Sequence, residues 1–157
     1  MIFKTWLEHY LFCFKKNKVK NSTFDFYKWR YEALKPLYNI ELEDLNLFHV
    51  QNFINNYAVG RSSSTVKDCF ILINQACKKA VNANLICSNP CDGVELPPHF
   101  RKEIDCLSDF EIRQFLSCSD RGFYYPVFLF LLFSGLRVGE LIALEAADID
   151  FNKQVIH

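Results

Sequence analysis

The sequence predicts a mainly α fold in two parts: a complete helical domain over residues 1–96 and the opening of a second domain over residues 106–157, joined by a linker at 97–105. Three observations predict it. Apolar residues recur at steps of three and four along nearly every segment, the pattern of helices that bury one face. That period stops at Leu96-Pro97-Pro98-His99-Phe100-Arg101-Lys102, which carries two prolines and ends on two basic residues, as an interdomain linker does. The charge is also divided unevenly. The 18 Lys/Arg and 18 Asp/Glu cancel over the 157 residues, yet residues 1–102 hold 14 basic against 9 acidic side chains and residues 103–157 hold 4 against 9, an excess of +5 followed by one of −5.

Element by element, Phe3, Trp6, Leu7, Tyr10, Leu11 and Phe14 share one face of a first helix. A lysine-rich turn at residues 15–20 follows. A second helix is expected to start with Ser22 as its N-cap, to place Phe24, Tyr27, Tyr31 and Leu34 inward and Lys28 and Arg30 outward, and to end before Pro36. The third starts near Asn46, buries Val50, Phe53, Ile54 and Tyr57, and stops at Gly60. The fourth has the longest stripe, Val66, Cys69, Phe70, Ile73, Ala76, Cys77, Ala80 and Val81, behind a cap region of Ser62, Ser63, Ser64 and Thr65. Beyond the linker, Ser108-Asp109-Phe110-Glu111 has capping-box spacing and opens a fifth helix. Gly122 ends it, an apolar helix runs over residues 124–134, Gly135 breaks that, and a short helix covers residues 137–144. The tail from Ile149 alternates as a strand with no further segment to pair with.

Composition narrows the class. Half of the residues are hydrophobic, 16% are aromatic and 23% are charged, which excludes a disordered, collagenous or coiled-coil chain. Seven cysteines behind a start that Glu8 and His9 interrupt before any apolar core develops predict reduced thiols, no secretory leader and a cytoplasmic protein. The longest apolar run, residues 127–133, is far short of the roughly 20 residues that cross a bilayer, so no membrane association is expected. Cys87, Cys91, His99 and Cys106 lack the gaps of common structural zinc sites, and neither a metal nor a cofactor is expected.

The stretch that carries chemistry is Ser134-Gly135-Leu136-Arg137-Val138-Gly139-Glu140-Leu141. Glu140 lies three residues after Arg137 and can meet it on one helical face. A guanidinium held in this way suits bidentate contact with a phosphate and stabilises charge on its non-bridging oxygens. A purely structural Arg–Glu pair fits the same spacing.

Residues 128–151, with this Gly-Leu-Arg-Val-Gly-Glu-Leu core and the later Ala147-Asp148-Ile149-Asp150-Phe151, resemble the first conserved box of the tyrosine recombinases, the phage and transposon integrase family. Ser22-Thr23, the helix over residues 65–83, the Asn89-Pro90 turn and Leu107-Ser108-Asp109-Phe110-Glu111-Ile112 are similar to that family as well. The resemblance implies a SAM-like helical core-binding domain followed by the first helices and first strand of a catalytic domain, the two gripping DNA as a clamp. It assigns Arg137 to the scissile phosphate and Glu140 to its support. The family's later groups, a hairpin lysine, a His-x-x-Arg motif and the nucleophilic tyrosine, have no counterpart here. His9, His49 and His99 are not followed by arginine three residues on, and Tyr124 and Tyr125 precede Arg137.

The reading is therefore the DNA-binding N-terminal portion of a site-specific recombinase. These residues alone are expected neither to cut nor to join DNA, because the covalent phosphotyrosyl link needs the tyrosine. Phosphate contacts are expected from Lys18, Lys20, Ser22, Thr23, Lys28, Arg61, Ser63, Ser64, Thr65 and Lys67, all at or near helix starts. The partners expected are double-stranded DNA and other recombinase protomers, with no small-molecule substrate. Two alternatives stay open: a non-catalytic DNA-binding remnant of an integrase, and a helical protein-interaction module.

Overall fold

A computed structural model describes residues 1–98, 105–119, 122–150 and 152–156. The chain separates into two compact units, Met1–Lys102 and Glu103–His157. The expected linker falls mostly on residues 99–104, outside the described residues, as do His99, Phe151 and His157.

In the first unit, α1 (Phe3–Phe14), α3 (Leu47–Ala58) and α4 (Ser63–Asn82) enclose one core. Phe3, Leu7, Val50, Ile54, Val66, Leu72 and Ile73 have no exposed surface, and each belongs to a helical stripe visible in the sequence, Leu72 excepted. Burying a side chain of this size is worth about 1.5–3 kcal/mol, which is why the stripes decide where these helices sit. Polar tips inside the core find partners: the Trp6 indole Nε1 donates to the Ala76 carbonyl at 3.0 Å. Asn46 caps α3 by accepting the His49 N–H at 3.2 Å, and Ser62 caps α4 by accepting the Thr65 N–H at 3.2 Å. Gly60, at φ 72°, turns the chain between these two helices in a conformation that side chains disfavour.

α2 (Asn21–Ala33) differs from the sequence expectation in three ways. Its N-cap is Lys20, in extended conformation, and Ser22 lies inside the first turn without a capping bond. None of its residues is fully buried: Phe24, Tyr27 and Tyr31 half-pack on the core, while Phe26 and Trp29 on the outer side are 60% and 59% exposed. Arg30, expected outward, is turned inward and pairs with Asp68 of α4 at 2.9 Å. A 3-10 turn at Lys35–Leu37 then leads to α3, and Ile2 bridges Glu41 in antiparallel fashion. After α4, Asn89 staples the following loop: its side-chain amide donates to Asn74 at 2.9 Å and to Asp92 at 3.0 Å, and its carbonyl oxygen accepts the Cys91 N–H.

In the second unit, α5 (Asp109–Ser119) opens with the expected capping box. Ser108 Oγ accepts the Glu111 N–H at 3.4 Å, and Glu111 Oε2 accepts the Ser108 N–H at 2.8 Å. α6 (Tyr125–Ser134) meets α5 through Phe115 and Phe128, whose rings pack edge-on at 5.2 Å. Gly135 closes α6 in the left-handed region at φ 68°. α7 (Val138–Ala143) and a 3-10 turn at Ala146–Asp148 follow. The tail is not one unpaired strand. β1 (Ile149–Asp150) pairs antiparallel with β2 (Val155–Ile156). The reversal is made by Asp150, whose Oδ1 accepts the Asn152 and Lys153 N–H groups at 3.0 Å each, with Gln154 at φ 55°. Aspartate side chains favour such turns because they replace a backbone acceptor.

Among the described residues no helix is long and apolar enough to cross a membrane.

Candidate nucleic-acid interface and phosphate site

The first unit carries most of the basic side chains, 14 of the 18 Lys/Arg. Of the lysine cluster, Lys16, Lys18 and Lys20 are exposed, but Lys15 is held inward. Its Nζ donates to Gln75 Oε1 at 2.9 Å and lies over the Tyr10 and Tyr27 rings at 5.5 and 5.1 Å. Lys15 thus binds α1, α2 and α4 together, Lys16 lies over the Phe12 ring at 4.9 Å, and Lys18 and Lys20 remain as exposed cations of the turn. Ser22 and Thr23 are exposed in the first turn of α2. Lys28, one turn on, is exposed but neutralised locally by Asp25 at 2.9 Å.

The second group surrounds the start of α4. Arg61 lies flat on the Tyr57 ring at 4.2 Å and donates from Nη1 to the Tyr57 carbonyl at 3.2 Å, so an otherwise mobile guanidinium is fixed in place. Ser64 and Lys67 are exposed, Ser63 and Thr65 are half-buried, and Thr65 Oγ1 is already engaged with Ser62 Oγ at 2.8 Å. The Tyr57 phenol is pushed up to about 12, first by burial and then by its hydrogen bond with Cys69. It therefore stays neutral beside Arg61 at physiological pH.

These two groups are not brought together. Arg30, near the end of α2, meets Asp68, near the start of α4, whereas the earlier Tyr27 shares Lys15 with the later Gln75. The helices run in opposite senses where they touch, so their N-terminal turns lie at opposite ends of the contact. From Ser22 to Arg30 alone the helix rises about 12 Å. The sequence reading missed Arg30 and Asp68 as a pair, since no local spacing links two residues on different helices.

The second unit carries the arginine box. Arg137 is the N-cap of α7 in extended conformation, delivered there by Gly135. Its Nη1 donates to Glu140 Oε1 at 3.0 Å, and Glu140 Oε2 accepts the Arg137 backbone N–H at 2.8 Å. One carboxylate thus grips both the backbone and the side chain of the same arginine. The Arg137 side chain is nevertheless 87% exposed. An exposed pair of this kind contributes about 0–1 kcal/mol to stability, so what it accomplishes is orientation. The other guanidinium N–H groups have no protein partner among the described residues and face solvent. All seven cysteines are free, and no cluster of metal-ligating side chains occurs among the described residues.

Comparison with known proteins places this architecture. No family model matches the chain. The fold is that of the integrases: the chain superposes over 99% of its length on the Tn1549 transposon integrase solved with circular intermediate DNA, with a TM-score of 0.83 and 21% identity, covering 53% of that chain. It superposes over 96% of its length on lambda integrase solved as a tetramer on a Holliday junction, with a TM-score of 0.84 and 18% identity, covering 46% of that chain. In sequence it is 28% identical over 145 residues to a XerC-like tyrosine recombinase of Caldanaerobacter subterraneus, a match covering 86% of this chain and 37% of the relative. The resemblance to the tyrosine recombinases therefore holds in both sequence and fold, across both units of this mainly helical chain. The chain spans from 24% to 47% of the length of the curated relatives it matches.

Proposed function

We propose that these residues form the DNA-gripping N-terminal portion of a site-specific tyrosine recombinase, with the first unit as its core-binding domain and the second as the start of its catalytic domain. The observation that carries the reading is Arg137, exposed yet gripped twice by Glu140, in a chain whose relatives are recombinases. Arg137 binds the scissile phosphate, and Glu140 keeps the guanidinium from turning away. The fixed cation stabilises negative charge as it grows on the non-bridging oxygens. The first unit supplies sequence-tolerant phosphate contacts from Lys18, Lys20, Ser22, Thr23, Lys28, Arg61, Ser63, Ser64, Thr65 and Lys67, in two groups along the duplex. The partners are double-stranded DNA and, in the whole protein, further protomers, as in the lambda integrase tetramer. The free thiols fit a cytoplasmic setting.

The test is binding of the 157-residue polypeptide to duplex DNA across a salt series. Affinity is expected to fall as salt rises, and Lys67→Ala is expected to reduce the logarithmic slope by about one. Affinity that does not change between low and moderate salt contradicts the phosphate-contact reading. On a nicked suicide substrate the same polypeptide is expected to form no covalent adduct, and an adduct would place the nucleophile within these residues.

A further inference from the structure

We propose that the Arg30–Asp68 ion pair is a positioning element: it fixes α2 against the start of α4 and so sets the geometry in which both helices present their DNA-facing groups. This rests on the DNA-binding reading above.

The pair stands apart from the others in the first unit. Lys4–Glu8, Lys28–Asp25 and Lys35–Glu32 each join residues three or four apart, and their side chains are 43–68% exposed. Arg30–Asp68 is the one side-chain ion pair between two helices among the described residues, with Arg30 21% and Asp68 44% exposed. The Phe26 and Tyr27 rings each lie 6.0 Å from its guanidinium. A guanidinium partly withdrawn from water gains from a fixed partner, and what the half-exposed pair chiefly supplies is a defined geometry between the two helices.

The other ties of α2 are at its aromatic side chains: Lys15 lies over Tyr27, and the Tyr31 hydroxyl donates to Glu8 of α1 at 2.6 Å, which leaves Arg30–Asp68 as its one charged link to the start of α4. It buries no residue fully, so packing alone determines its register less strictly than that of α1, α3 and α4. Asp68 directly follows Lys67 and lies one residue before buried Cys69, on the rigid helix that Ser62 caps. Anchoring Arg30 there transmits the position of α4 to α2. A direct phosphate contact by Arg30 is disfavoured by its burial and by the Nη2 donor already given to Asp68.

The two roles predict opposite results on removing one charge. Neutralising a bystander carboxylate near a DNA-binding surface tightens binding, because repulsion of phosphate is lost. If Asp68 positions α2, Asp68→Asn instead weakens duplex binding, by about tenfold at fixed salt, while the salt slope stays that of the unaltered chain. The exchange Arg30→Asp with Asp68→Arg restores most of the affinity. Amide hydrogen exchange in α2, measured without DNA, is faster in Asp68→Asn and slow again in the exchanged pair. Binding by Asp68→Asn as tight as or tighter than the unaltered chain overturns the proposal, as does an exchanged pair that fails to fold or to bind. If the unaltered chain binds no DNA, the recombinase reading falls by itself. The pair is then judged on hydrogen exchange, where equal α2 protection with and without Asp68 overturns it.

Discussion

The two units differ in where their apolar side chains go. Every fully buried residue among those described lies between Phe3 and Cys91. The second unit has the most apolar helix of the chain, Tyr125–Ser134, yet none of its described residues is buried, and Phe133 is 81% exposed. The first unit is held by packing. The second is held by local devices: a capping box at Ser108 and Glu111, a left-handed glycine, a carboxylate gripping Arg137, and an aspartate turn. Hydrophobicity alone does not make a core, because helices must present it to one another. The matched recombinases and integrases are longer than this chain.

This contrast can be broken by mutation. The largest effect is expected from Leu72→Ala, which removes a fully buried side chain from α4 and should cost about 2–5 kcal/mol, seen as a lower denaturant midpoint for the first unit. Phe133→Ser, on the exposed face of α6, should change stability by less than about 0.5 kcal/mol and reduce self-association in sedimentation. Comparable losses at both positions would mean that the second unit has a core of its own.

Smaller effects separate the local devices. Gly135→Ala forces a side chain into the left-handed region and should cost about 1 kcal/mol, read in the melting of the second unit. Ser62→Ala removes the α4 cap at a similar cost of about 1 kcal/mol, read in the first unit.

The smallest effects near neutrality lie in pH. Tyr31 is pushed up to about 12 by burial and by its hydrogen bond to Glu8, and Tyr57 is raised similarly. The folded state therefore holds these protons more tightly than the unfolded chain. The resulting stabilisation is complete below the ordinary tyrosine range and is lost as pH rises from about 10 towards 12. The first unit should thus loosen in alkali, with delayed tyrosinate absorbance. Glu111 and Asp150 are shifted the other way: the Ser108 hydroxyl holds Glu111 below its usual value, and the Lys153 backbone N–H does so for Asp150. Their contribution is present above the ordinary carboxylate range and fades as pH falls through the lowered values, so the second unit should loosen in acid.

Much of this was legible in the sequence, for reasons that differ by element. α1, α3 and α4 follow from apolar stripes because their burial is large and periodic. The Ser108 and Glu111 box and the Arg137 and Glu140 grip are contacts at three-residue spacing, so local pattern suffices. Ser22 failed as a cap because Lys20 already supplies the capping residue at the start of α2, leaving the serine two residues too deep. Arg30 was placed outward because its partner lies on another helix, where periodicity has no reach. The tail hairpin was hidden because alternation marks strands without marking where a short one reverses, although Asp150 and Asn152 are the residues that make the turn.

The central claim is that the first unit grips DNA through two separated groups at the starts of α2 and α4. The most direct measurement is amide hydrogen exchange of the 157-residue polypeptide with and without duplex DNA. Slower exchange on DNA addition is predicted in residues 18–28 and 61–68, with the α6 helix unchanged. No slowing in either stretch, or slowing confined to α6, would contradict the claim.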